Sequence, residues 1–187
     1  MGGVDAIAEL RLSLEPEMQQ MIPNPLHPAV VHFPVVLAFL LPLFVVGALW
    51  AIRRGARPRR AWLLPTAIAI ALAGSSWLSV ETGEAQSGRV ERVVGEQAMD
   101  AHEDVAELFL TTAVGVAVLT AAGLVGGIAG RAARALAVAG SLATVGLVAR
   151  VGHTGGQLVY KYGAAGVYTG APDVASTTPS PKAGDGR

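Results

Sequence analysis

Four long apolar runs constrain this chain more than any other feature of its sequence. They cover residues 33–52, 61–80, 108–130 and 135–153. Each is close to the ~20 residues that a helix needs to cross the hydrocarbon core of a bilayer. Hydrophobic residues make up 52% of the chain and charged residues 15%, with a mean hydropathy of +0.48, too little polar surface for a soluble globule of this size. The sequence therefore predicts an all-α fold, a bundle of four transmembrane helices over residues 26–168.

Charged residues are distributed very unequally between the two ends of such a bundle. The chain has 14 basic and 14 acidic residues, yet the short connections after the first and third runs contain only basic ones. These are Arg53, Arg54, Arg57, Arg59, Arg60, Arg131 and Arg134. The positive-inside rule places both connections in the cytoplasm. This predicts a multi-pass protein of the bacterial inner membrane, with both termini and the 81–107 loop outside.

Two segments flank the predicted bundle. Residues 1–25 lack the continuous apolar core of a cleaved signal peptide. They are predicted to form an extracytoplasmic segment with the weak apolar periodicity of an interfacial or surface helix. Residues 169–187 are rich in Pro, Ser, Thr and Gly without apolar periodicity, which predicts a disordered tail.

All four histidines lie at ends of apolar runs that fall on the same side of the membrane. They are His27, His32, His102 and His153. Carboxylates at the same end include Glu81, Glu84 and Glu103. Ionisable groups at this depth are costly to bury and usually mark function. We therefore expect one outward-facing cluster of imidazoles and carboxylates, with His27 at its periphery.

The residue inventory excludes several kinds of chemistry. The chain has no cysteine, which excludes disulfides, thiolate zinc sites, iron–sulfur clusters and covalently attached c-type haem. No nucleophile with a neighbouring base can be identified, so we predict no catalytic residue and no turnover by this chain alone. No basic patch is interleaved with aromatic residues, so nucleic acid is not an expected partner.

Three interpretations of the predicted cluster remain open. The first is a b-type haem held between two histidines on facing helices, with His32, His102 and His153 as candidate ligands and Arg150 pairing a propionate. The second is a Zn, Cu or Fe ion. Its candidate ligands are His27, His32, His102, His153, Glu81, Glu84 and Glu103. The third has no cofactor, and the same side chains cap helices and form hydrogen bonds.

Four segments also carry a resemblance to a known family. They are LHPAVVHFPVVL at 26–37, ETGEA at 81–85, HEDVAEL at 102–108 and GHTGGQLVYKYGAAGV at 152–167. Together they resemble the four-span bacterial membrane proteins of domain-of-unknown-function family 2231, over about residues 24–168. The resemblance implies the four-span fold and its topology. It also implies an association with electron transfer, because relatives occur beside cytochrome-like modules.

These observations predict one of two functions. The first is a haem- or metal-binding membrane subunit of a respiratory or other electron-transfer complex, with an extracytoplasmic redox partner. The alternative is a structural or accessory subunit without a cofactor, whose outer loops dock a partner. The lipid bilayer is a partner in both cases.

Overall fold

Four long helices dominate the fold, as the apolar runs predict. The computed structural model describes residues 26–169, and this part of the chain is helical without strands. The helices are α1 His27–Val30, α2 His32–Arg53, α3 Pro58–Val94, α4 Glu96–Ala122, α5 Gly127–Tyr160 and α6 Gly166–Thr169. Helices α2 to α5 are long and apolar enough to cross a membrane. The predicted all-α, four-span class is therefore confirmed, whereas residues 1–25 and 170–187 of the predicted flanking segments lie outside the described residues.

The four long helices pack as a ring in which each contacts its neighbour in sequence and α2 closes against α5. Helices α2 and α4 begin at what we call the histidine end, where α1 also lies, and α3 and α5 return to it. The opposite end, with the connections at residues 54–57 and 123–126, is called the arginine end. The core between the helices consists mainly of small and aliphatic side chains. They include Ala38, Leu41, Val45, Ala69, Leu72, Ala113, Val116 and Ala137.

Large apolar side chains cover the outside of the bundle. Examples are Phe33, Leu43, Leu63, Ile70, Val118 and Leu142, each more than half exposed. A soluble protein would bury such residues, but lipid tails solvate them well, and small core residues then let the helices approach closely. The distribution of sizes is therefore that of a membrane bundle.

Helix α3 is much longer than a membrane is thick. Its 37 residues span about 55 Å at 1.5 Å per residue, against a hydrocarbon core of about 30 Å. Since its apolar run ends near residue 80, residues 81–94 project beyond the apolar span and pair with residues 96–107 of α4. Gly95, with φ +84°, makes the turn between them. The segment predicted as an outer loop is therefore a helical hairpin.

A second small core supports this projecting hairpin. Val94 and Met99 pack with Leu158 of α5 and with Ala164, which follows α5. Tyr168 of α6 donates a hydrogen bond from its hydroxyl to Oε1 of Gln86, at 3.2 Å. These contacts explain why residues 81–107 remain helical outside the apolar spans, and they hold the histidine end together.

The third apolar run does not form one continuous helix to residue 130. Helix α4 ends at Ala122, and α5 begins at Gly127, which has φ +75°. The reason is the glycine-rich sequence Gly-Leu-Val-Gly-Gly from residue 123, which favours a turn over a helix. Arg131 and Arg134, predicted to lie in the turn, belong to the start of α5.

Arg134 is buried at the arginine end and completes this turn. Its Nε donates a hydrogen bond to the carbonyl oxygen of Gly123 at 2.7 Å, and its Nη2 donates to that of Val125 at 3.3 Å. The guanidinium also lies 5.8 Å from the ring centroid of Trp62. Arg134 therefore satisfies carbonyls that the end of α4 leaves without helical partners.

Candidate functional site

The four histidines divide into two half-buried and two exposed side chains. His27 and His102 are half-buried, whereas His32 and His153 are exposed. Nε2 of His153 lies 3.0 Å from Nε2 of Gln157, one turn further along the same helix. Of the three histidines expected to meet, His102 is therefore half-buried and His32 and His153 are exposed, and their meeting stays a prediction. His27, expected at the periphery, is more enclosed than His32 and His153.

His27 links α1 to the part of α3 at the histidine end. Its Nδ1 lies 2.9 Å from the carbonyl oxygen of Ser79 and 3.4 Å from Oγ1 of Thr82. A carbonyl oxygen can only accept, so Nδ1 carries the hydrogen and donates it. The ring lies against Gly83, where an added Cβ would stand 3.2 Å from Cε1. Glycine at this position lets the imidazole approach the helix backbone.

His102 links α4 to the part of α5 at the histidine end in the same way. Its Nδ1 lies 2.9 Å from Oγ1 of Thr154. The single hydroxyl hydrogen of Thr154 is donated to the carbonyl oxygen of Val151, at 3.1 Å. With the hydroxyl donating in this way, Oγ1 accepts from His102, and Nδ1 then carries the hydrogen as it does in His27. The ring lies against Gly155, where an added Cβ would stand 3.2 Å from Cε1.

The two contacts repeat one arrangement in both halves of the bundle. Each histidine packs on a Thr-Gly pair near the histidine end of the returning helix, Thr82-Gly83 in α3 and Thr154-Gly155 in α5. The sequence signal is the recurrence of Thr-Gly after the second run and at the end of the fourth. The sequence itself contains this recurrence, and it favours His27 as a site residue as strongly as His102.

Both half-buried imidazoles lie beyond the apolar runs of their own helices, at the histidine end of the bundle. Burial lowers the pKa of His27, and the hydrogen bond to Ser79 offsets part of that effect. Burial also lowers the pKa of His102, and the nearby charge of His27 lowers it further. Both shifts favour the neutral imidazole. The described residues offer no hydrogen-bond partner to either Nε2, so each keeps an available lone pair.

The predicted carboxylates surround this site without forming a ligand set. Glu81 and Glu84 are exposed, and Glu103 is half-buried. Burial raises the pKa of Glu103, and the neighbouring acids raise it further. Those acids are Asp100, Glu84, Glu91 and Glu107. Among residues 26–169, no three His, Asp or Glu side chains are grouped as metal ligands, so the predicted seven-residue metal set is not assembled there.

Comparison with known proteins identifies the family. The family model described as "Predicted membrane protein (DUF2231)" matches residues 23–167. The chain belongs to this family. The resemblance found in the sequence is thereby confirmed, and both histidine contacts lie within the matched region of this DUF2231 protein. No curated protein and no solved structure gives a significant match.

A cavity of about 510 Å³ adjoins the His102 contact in this DUF2231 protein. Its walls include Glu96, Ala101, Thr154 and Gln157. It is an open depression rather than an enclosed cavity, and neither His27 nor His102 lines it. Thr154 connects the two features, because it lines the cavity and accepts the hydrogen bond of His102.

Arg150 remains separate from both histidine contacts. It is exposed on α5, one turn before Thr154. Its pairing with a haem propionate stays a prediction. The atoms of this DUF2231 protein best placed to bind a ligand are therefore Nε2 of His27 and Nε2 of His102.

Proposed function

We propose that this DUF2231 protein is a membrane subunit that binds haem iron through Nε2 of His27 and His102. The observation that carries the proposal is the state of the two imidazoles. Hydrogen bonds from Nδ1 hold both rings in one tautomer, and their Nε2 lone pairs stay available. Imidazole with its second nitrogen hydrogen-bonded in this way is the usual form of a histidine ligand.

The number of suitable ligands favours haem over a bare metal ion. Haem iron takes four nitrogens from the porphyrin and needs only axial ligands from the protein. A protein site for Zn, and commonly for Cu or Fe, uses three or four side chains, and residues 26–169 hold no such group. With no cysteine in the chain, the haem would be of b type and not covalently attached.

The surrounding residues would have distinct roles. The Ser79 carbonyl and the Thr154 hydroxyl orient the two rings and increase the basicity of Nε2. Gly83 and Gly155 let the rings settle close to α3 and α5. We assign Arg150 to a propionate, since it is exposed on the outer part of α5. Bound haem would supply one-electron chemistry at iron, and we place such a subunit in a respiratory or other electron-transfer complex.

The orientation of the bundle belongs to the same proposal. The arginine end has six exposed arginines and, within the described residues, no acid. By the positive-inside rule it faces the cytoplasm of a bacterial inner membrane. Both termini and the histidine end then face outward, and the redox partner is an extracytoplasmic protein or a domain of a membrane complex.

Absorption spectroscopy of the purified full chain tests the haem proposal. Haemin is added in increments, and spectra are recorded before and after reduction with dithionite. We expect a Soret band that saturates near one equivalent and shifts on reduction. His27→Ala and His102→Ala should abolish it, whereas the matched variants His32→Ala and His153→Ala should retain it.

Two results would contradict this assignment. The first is a Soret band that survives His27→Ala and His102→Ala together, which would place haem elsewhere. The second is Zn, Cu or Fe near one equivalent by elemental analysis without a Soret band, which would favour a bare ion.

A second candidate is an accessory subunit without a cofactor, in which the outer hairpin docks a partner. The observation in its favour is that His27 and His102 already form tertiary contacts that need no ligand. In that case haemin should give no saturable Soret band. His27→Ala and His102→Ala should then lower the thermal stability of the chain and its assembly with the partner.

A further inference from the structure

We propose that the arginine end is a binding surface for anionic phospholipid headgroups. The surface consists of the exposed arginines of the first connection and of the start of α5. They are Arg53, Arg54, Arg57, Arg59, Arg60 and Arg131. This inference does not depend on the proposed haem site, which lies at the opposite end of the bundle.

Residues 26–169 do not neutralise this surface. The acids of the described residues all lie between Glu81 and Glu107, at the histidine end. The buried Arg134 is satisfied by two backbone carbonyls, but the six exposed guanidinium groups have no carboxylate at their end within the part of the chain that the structure describes. The balancing negative charge must therefore come from outside the described chain.

The local backbone adds to the positive potential. Arg59 and Arg60 lie in the first turn of α3, which has no acid there and no side-chain cap from Arg57. Cations at a helix N-terminus are unfavourable because the N-terminal end of the helix dipole is positive. An external anion would relieve this repulsion as well as pair with the arginines.

The position of Trp50 indicates that the anion belongs to a lipid. The guanidinium of Arg54 lies 4.6 Å from the ring centroid of Trp50, whose side chain is 59% exposed on the outer face of α2. Exposed tryptophans beside basic residues are typical of the level of lipid headgroups. This pair therefore marks the depth at which lipid phosphates meet the arginine surface.

Guanidinium groups suit such phosphates by geometry as well as by charge. Arginine presents planar paired donors to phosphate oxygens. Juxtamembrane basic clusters attract anionic lipids by this chemistry. We therefore expect phosphatidylglycerol to be selected over phosphatidylcholine, which has the same glycerophosphate but no net charge.

Native mass spectrometry of the full chain with defined lipids tests this inference. The protein is equilibrated with equimolar phosphatidylglycerol and phosphatidylcholine, and bound lipid is counted. We expect preferential binding of phosphatidylglycerol. The double variant Arg57→Gln/Arg59→Gln should weaken that binding, with each removed arginine costing about fivefold. The matched control Arg89→Gln/Arg92→Gln removes two exposed arginines at the histidine end and should leave it unchanged.

Further measurements separate the alternatives. Inorganic phosphate at millimolar concentration should not displace the bound lipid, since a single small anion cannot bridge several arginines. Displacement by phosphate would show a free-anion site and overturn the lipid assignment. Equal binding of the two lipids by the native chain, or an equal loss in the control variant, would also overturn it. If the double variant fails to fold, Arg57→Gln alone gives the same test at about fivefold.

Discussion

The ring of His102 lies against the backbone of Gly155, where an added Cβ would stand 3.2 Å from the Cε1 atom. The next residue, Gly156, has nothing within 4 Å of its own Cβ position. The two neighbouring glycines of α5 therefore separate the effect of helix propensity from that of the histidine contact.

Alanine substitutions at these glycines should have opposite outcomes. Gly156→Ala should raise the thermal unfolding midpoint, because alanine is favoured over glycine in a helix by about 1 kcal/mol. Gly155→Ala should lose most of that gain or destabilise, because its Cβ crowds His102. Thermal unfolding in detergent measures both, and an equal gain from the two variants would show that the imidazole does not pack as described.

Acidification should weaken the fold through His27 and His102. Burial lowers both folded-state pKa values below the ordinary value of 6.5, so the unfolded chain binds more protons just below pH 6.5. The free energy of unfolding should then be independent of pH above about pH 7.5. It should fall as the pH decreases through 6.5 toward the lowered folded-state pKa values. Glu103, whose pKa is raised, acts in the opposite sense nearer its own titration, so the measurement is best confined to pH 6 to 8.

Histidine variants provide the control for this pH dependence. His27→Gln/His102→Gln should flatten the dependence of the unfolding midpoint on pH, whereas His32→Gln/His153→Gln should retain it, because those rings are exposed. If the pH dependence is lost in His32→Gln/His153→Gln instead, the exposed histidines cause it and the prediction is wrong.

The four spans could be predicted from sequence because membrane helices are determined mainly by the length of their apolar runs. Hydropathy does not mark the end of α4, because Leu124, Val125 and Ile128 continue the apolar run, and the turn is indicated only by the glycines between them. What ends α4 is a turn whose carbonyls are satisfied by Arg134, eleven residues after Gly123. Hydropathy does not record such a long-range partner.

The sequence places all four histidines at one end of the bundle, but it does not indicate which imidazoles are half-buried. Alternating spans are sufficient to bring His27 and His102 to one end of the bundle. The half-buried rings of His27 and His102 lie against Gly83 and Gly155 of the returning helices, where the absence of a Cβ leaves room for them. His32 lies on an exposed face of α2.

Removing Arg134 should be costly even though no acid pairs with it. Arg134→Met keeps much of the side-chain volume but leaves the carbonyls of Gly123 and Val125 without their donors. An unsatisfied buried polar group costs about 1–3 kcal/mol, so we expect a clear fall in the thermal unfolding midpoint. Arg131→Met, three residues earlier and exposed, should stay within about 0.5 kcal/mol. Equal effects would contradict the capping role.

The orientation of the bundle can be measured with single cysteines, because the chain has none of its own. Ala56→Cys and Ala132→Cys mark the arginine end, and Gly88→Cys marks the projecting hairpin. All three positions are exposed. Ala56 is preferable to Gly55, whose φ of +96° disfavours a side chain. In intact bacterial cells, a membrane-impermeant maleimide should label Gly88→Cys and spare the other two, since arginine-rich connections stay in the cytoplasm. Permeabilised cells should show labelling at all three positions. The reverse pattern would place the histidine end in the cytoplasm, and a haem bound there would then serve a cytoplasmic partner.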